Sequence, residues 1–260
     1  MVTPSSPTSS NIAWDSDGTS VPAPEPWGVK GAFTTIRVEG TPPSPLFLNT
    51  HLARLEESAR LLEVKAIVSQ VQIRERITTF LSSTQIPVPF LVRVCLLEDC
   101  LALYVRPANP TSPELSARIL RHLRPVPEAK STFDKELYGR LGELDISMED
   151  VLIVHPTDDR VLESATSNLL FAQDNHLVVP EEDILPGIVL SRLLSNINVF
   201  EIDRRSPTLD ELVTFDEIIL CGSGREVVSL ATIPEVDWQR SSEKTLLKLR
   251  KTYETVKVQA

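Results

Sequence analysis

The chain has 260 residues, 42% of them apolar, with 26 basic and 36 acidic side chains and a formal charge of −10. That is enough apolar material for one large domain or two ordinary ones. The acidity argues against broad nucleic-acid binding. No apolar run approaches the ~20 residues of a membrane-spanning helix, and three cysteines without CxxC spacing argue against a disulfide framework or a zinc ribbon.

Residues 1–10, "MVTPSSPTSS", lack the basic start and apolar run of a signal peptide and the arginines of a transit peptide. They read as a disordered tail on a cytoplasmic protein. "NIAWDSDG" reads as a short strand and turn, and residues 31–38 as the opening strand of the next pair of elements. "THLARLEESARLLEV" is a helix, with Leu52, Leu55, Ala59 and Leu62 at three- and four-residue spacing. "VQIRERITTFL" is a second helix, and "FLVRVCLLEDCLALYVRP" a hairpin turning at Glu98-Asp99. Three prolines in "PANPTSPE" mark a linker.

Beyond it, "ARILRHLRPV" is a strand. A helix follows from about Phe133, with Ser131 as its cap and Phe133, Leu137, Leu141 and Leu144 as its buried stripe. Then come strands at "DVLIVHP", "RVLES", "NLLFA" and "HLVV". "GIVLSRLLSNI" is a helix, "VFEID" a strand, and "TLDELVTF" a short helix boxed by Thr208 and Glu211. "DEIILCG" is a strand and "SEKTLLKLRKTYETV" a closing helix. The expected architecture is α/β in two domains. A small N-terminal α/β domain spans 11–107, a linker 108–113, and a larger C-terminal α/β domain 114–260.

The common nucleotide and hydrolase loops GxGxxG, GxxxxGK[ST] and GxSxG are missing. "HPTDD" reads as a solvated turn rather than a metal site, and no metal is expected. Two features suit an anion. Gly187 precedes a helix whose first N–H groups, those of Ile188 and Val189, would face forward. "CGSGRE" follows a strand, with glycines free to turn N–H groups inward and the Ser223 hydroxyl beside them. Lys130 stands at a strand-to-helix junction, where a reactive amine is held yet open; Lys135 falls on the wet face of the helix. Glu163 lies on an apolar strand and needs a cationic or donor partner unless it is exposed at the strand end. In "KGAFTTIRVEG", Phe33, Thr35 and Arg37 share one strand face, an odd mixture for a core. That face is either the wall of a pocket or an edge.

The blocks "GAFTTIRVEG", "HLARLEESARLL", "VLESATSNLLF" and "ILPGIVLSRLL", in this order and spacing, resemble the class IV aminotransferases, the fold-type IV pyridoxal-phosphate family. That family includes branched-chain and D-amino acid aminotransferases and aminodeoxychorismate lyase. The resemblance runs from about Ile12 to Val256. It implies pyridoxal 5′-phosphate as cofactor, a small-molecule amino substrate and a homodimer. It implies that Arg54, Ile188, Val189 and Ser223 hold the cofactor phosphate, that Glu163 pairs with the pyridine nitrogen, and that Asn168 lies near the cofactor rim. Lys130 would be the Schiff-base lysine; it precedes Glu163 by 33 positions, near the family's habit, whereas Lys135 precedes it by 28. Phe33, Thr35 and Arg37 would line the substrate pocket, or Arg37 would anchor structure through a buried ion pair.

The chain departs from the family pattern in places. Val189 stands where a threonine is frequent. The aromatic residue expected shortly after the lysine is missing, with Tyr138 too late. Asp159-Arg160 replaces a glycine-containing turn, and the opening segment is short. No Arg-x-His occurs, which argues against the D-amino acid enzymes. "ESATSN" leans the reading towards aminodeoxychorismate lyase-like chemistry. The alternatives are a branched-chain-like aminotransferase and a non-catalytic relative.

Overall fold

The structure, a computed structural model, describes residues 11–65, 67–108 and 110–258. The expected tail at 1–10 lies outside them. The chain forms two compact units. The first ends at Ala108 and also takes in Lys130–Phe133; the second holds the segment before Lys130 and everything from Asp134 on.

The first unit is one sheet with two helices. Its elements are β1 (Ile12–Asp15), β2 (Ser20–Val21), β3 (Gly31–Glu39), β4 (Ser44–Pro45), α1 (Leu48–Leu61), α2 (Gln70–Ser83), β5 (Phe90–Leu97) and β6 (Cys100–Pro107). The sheet order is β2-β1-β6-β5-β3-β4. Alternation divides the sheet into two faces. Ala32, Ile36 and Val38 of β3, Phe90, Val92, Val94 and Leu96 of β5, and Leu101 and Leu103 of β6 form the core with α1 and α2. Helix α1 buries His51, Leu52, Leu55, Ser58 and Ala59, a stripe at helical spacing that carries two polar side chains. Helix α2 starts in a Ser69–Gln72 capping box. The opposite sheet face carries Phe33, Thr35 and Arg37, with Arg93 opposite Thr35 and Tyr104 opposite Arg93.

The second unit packs two five-stranded sheets. One, ordered β16-β15-β7-β8-β9, uses β7 (Ser116–Arg121), β8 (Glu149–Val154), β9 (Val161–Ser164), β15 (Thr232–Ile233) and β16 (Trp238–Gln239). The other, β12-β11-β10-β13-β14, uses β10 (Asn168–Gln173), β11 (His176–Val179), β12 (Glu201–Arg204), β13 (Glu217–Gly222) and β14 (Glu226–Ser229). Leu152, Val154 and Val161 meet Leu169, Phe171, Ile218 and Leu220 in one shared core. Helices α3 (Lys135–Leu141), α4 (Ile188–Leu194) and α5 (Lys244–Val258) complete the unit.

Helix α3 corrects one expectation. It begins at Lys135, and its cap is Asp134, whose carboxylate accepts from Leu137 N at 3.1 Å. Ser131 instead bridges to Ala32 of β3. The extended backbone this requires keeps residues 131–133 out of the helix, and Phe133 is 62% exposed instead of buried. All three cysteines are free and buried. Burial pushes the Cys95 thiol up to about 12, so it is not a nucleophile at neutral pH. Among the described residues no helix is long and apolar enough to cross a membrane.

Candidate active site

Lys130 is held in the first unit by its backbone. Its carbonyl accepts from Phe33 N at 2.9 Å, and its N–H donates to Ser58 Oγ of α1 at 3.1 Å. The side chain is half-buried, with Nζ 4.8 Å from the centroid of the Phe33 ring. That distance permits a cation–π contact, about 0.5–2 kcal/mol depending on desolvation. The Phe33 ring meets Trp27 edge-on at 5.4 Å. Arg93 of β5 lies over both rings, 4.4 Å from Trp27 and 5.4 Å from Phe33. Strand β3 therefore brings its non-core face to the lysine. Arg37 on that face is 7% exposed and pairs with Glu39 at 2.5 Å. Thr35 is half-buried. Lys135 is exposed and begins α3 in the second unit.

Arg54 projects from the same side of α1 as His51 and Ser58, one turn from each. Its Nη2 donates to Thr34 Oγ1 at 3.0 Å, and that hydroxyl lies 2.7 Å from His51 Nδ1. Burial, then the charges of Arg54 and Lys130, hold His51 well below the ordinary histidine value, so it is neutral.

In the second unit Glu163 is 6% exposed, and Arg124 is its cationic partner. Its other oxygen accepts from Leu185 N at 3.4 Å. A β-bulge aims it. Ile153 faces Glu163, but Val154 faces Val161, so Leu162 is the extra residue. Glu163 thus falls on the face of Ile153, whereas Val161 faces the shared core. Arg124 Nη1 also donates at 3.3 Å to the carbonyl of Ala129, the residue before Lys130.

Asn168 opens β10 and donates to Leu185 O at 2.8 Å, fixing the segment that leads into α4. Gly187 caps α4 without a side-chain bond, and Ile188 and Val189 follow, both buried. A Cβ at Gly187 would stand 1.7 Å from Asn168 Oδ1, so only glycine lets the chain pass. Asn168 pairs with Cys221 across β10 and β13, and Ser223 leaves that end of the sheet. The Ser223 loop is pinned by Arg225, whose Nε reaches buried Asp150 at 3.0 Å and Thr166 Oγ1 at 3.1 Å.

Sequence reasoning missed Thr34, His51, Arg93, Trp27 and Arg124. His51 carried a signal, since "HLAR" sets it one helical turn from Arg54. Arg124 carried none, because nothing in "RHLRPV" says which arginine meets Glu163.

The family model described as amino-transferase class IV matches residues 31–233. No curated protein matches the chain by sequence. Among solved structures, it is similar to a hypothetical aminotransferase from Mycobacterium tuberculosis in its PLP-bound form. That likeness has 19% identity and a TM-score of 0.75 over 96% of this chain and 99% of the other. It is also similar to the branched-chain aminotransferase of the thermophilic archaeon Thermoproteus uzoniensis with norvaline, at 18% identity and a TM-score of 0.78 over 94% of this chain and 93% of the other. The chain belongs to the class IV aminotransferases and has their fold-type IV α/β architecture.

Proposed function

We propose that the protein is a pyridoxal 5′-phosphate-dependent aminotransferase whose amino substrate carries a second carboxylate. One observation carries the substrate class: Arg93 lies over the rings of Trp27 and Phe33, on the sheet face that also meets Lys130. It puts a guanidinium charge on that face, and a guanidinium matches the planar geometry of a carboxylate.

The residues present fit the cofactor. Lys130 offers an amine, Glu163 a buried carboxylate, and Arg54 a guanidinium set by its own hydrogen bond. The Gly187 passage leaves α4 with no capping side chain, so the Ile188 and Val189 N–H groups suit a phosphate, as does the Ser223 hydroxyl. When bound, the cofactor supplies an electron sink for charge developing at the substrate α-carbon. Lys130 Nζ holds the cofactor and then moves the α-proton. Glu163 keeps a proton on the ring nitrogen. Asn168 braces the α4 approach, and Phe33 packs beside the amine.

A second reading is aminodeoxychorismate lyase-like chemistry. The same arginine favours it, since that substrate also carries two carboxylates, and so does the absence of Arg-x-His. Borohydride reduction and peptide mapping should fix a pyridoxyl group to Lys130; a label on Lys135, or none, overturns the assignment. Glutamate alone should then release up to one equivalent of 2-oxoglutarate per active site. Pyruvate and p-aminobenzoate from aminodeoxychorismate, with no keto acid added and no such release from glutamate, would mean the lyase reading is right.

A further inference from the structure

Thr34 is the polar residue on the core face of β3, between Ala32 and Ile36, and it is fully buried. An apolar side chain would serve the packing there. The hydroxyl is engaged twice instead, by Arg54 Nη2 at 3.0 Å and by His51 Nδ1 at 2.7 Å. A guanidinium can only donate, so Thr34 Oγ1 accepts from Arg54. The threonine's own proton is then available to His51 Nδ1, which accepts it in the tautomer that carries its proton on Nε2. An accepting Nδ1 requires a neutral ring, and the ring's burial among the positive charges of Arg54 and Lys130 agrees with that.

Both bonds meet at Thr34 Oγ1, which ties Arg54 to His51. Each group is fixed by a regular element: Thr34 by the sheet, His51 and Arg54 by α1. Arginine has many rotamers, and an anion site that must freeze them at binding loses affinity. A buried acceptor placed by a strand removes that loss in advance.

We propose that Thr34 and His51 are positioning residues that aim Arg54 at the cofactor phosphate. The proposal rests on the reading that Arg54 is a phosphate ligand. Neither residue touches the cofactor ring in this scheme, so their loss weakens recognition of the phosphate and leaves recognition of the ring alone.

The test is equilibrium binding to the full-length apoprotein, by absorbance, of pyridoxal 5′-phosphate and of pyridoxal, which lacks the phosphate. The ratio of the two dissociation constants reports phosphate recognition only. Arg54→Met should collapse the ratio; if it does not, the reading of Arg54 fails and this proposal with it. Thr34→Val, which keeps the shape, should lower the ratio about tenfold with pyridoxal binding unchanged, and Thr34→Ser should restore it. His51→Asn, which offers an amide oxygen near the Nδ1 position, should retain more of the ratio than His51→Leu. A wild-type ratio in Thr34→Val, alongside a collapsed ratio in Arg54→Met, would overturn the proposal and leave the Arg54 reading standing. If Thr34→Val does not fold, Thr34→Ala and the His51 pair decide by the same ratio.

Discussion

Arg124 and Glu163 form an ion pair inside the second unit, each side chain 8% exposed. Burying a carboxylate and a guanidinium together is tolerable because each satisfies the other; removing one strands its partner. Arg124→Met is expected to cost about 3–5 kcal/mol, and Arg124→Met combined with Glu163→Gln much less. Urea unfolding midpoints of the two single variants and the double variant check this. A double variant no more stable than Arg124→Met alone would show that the pair is not what Arg124 contributes.

Glu163→Gln keeps the shape and removes the charge. With the ring-nitrogen role proposed above, turnover should fall by about 10²–10³, the usual scale for losing one electrostatic partner of a reacting centre. Cofactor affinity should change far less. Steady-state rates beside a cofactor titration separate the two, and near-normal turnover would make the carboxylate purely structural.

Two histidines give opposite pH slopes. His51 is held below its ordinary value by burial, so as pH falls through about 6.5 the unfolded chain takes up a proton that the folded chain refuses. Stability is therefore lost with falling pH, and His51→Leu should flatten that loss. His122 is raised, chiefly by its 2.8 Å bond to Asp134. Its contribution is complete below about pH 6.5 and is lost as pH rises through the raised value, so His122→Asn should destabilise more at about pH 5.5 than at about pH 8.5. Thermal melts across that range test both signs.

Gly187→Ala puts a methyl group on top of the Asn168 amide. The amide must rotate away and give up its bond to Leu185 O. We expect a loss of about 1–3 kcal/mol, partly recovered by Asn168→Ala in the same chain. Calorimetry of the two single variants and the pair measures that coupling.

The helices and most strands are legible in periodicity because each has one face against a core. Helix α1 shows this, with Leu52, Leu55 and Ala59 at helical spacing. The polar residues on that stripe are harder to read. His51 and Ser58 are buried because Thr34 and Lys130 N receive them, and both partners are distant in sequence. Phe133 misleads because an apolar residue beside a helix looks like its first core position. The bridge between Ser131 and Ala32 is a long-range pairing that local spacing does not report. Arg124 is invisible for the same reason, lying 39 positions from Glu163.

The bulge in β9 ties the orientation of Glu163 to chain length. Along a regular strand, residues two apart point the same way, so Val161 and Glu163 would share a face. The extra residue Leu162 breaks that parity and turns Glu163 to the other side. Without the bulge, residues 161, 162 and 163 would face Val154, Ile153 and Leu152 in turn, which rotates the carboxylate into the apolar layer of Leu152 and Val154. Deleting Leu162 would instead leave Val161 opposite Val154 and Glu163 opposite Ile153, so the strand becomes regular and the charge keeps its side. In this strand, odd and even are chemically distinct.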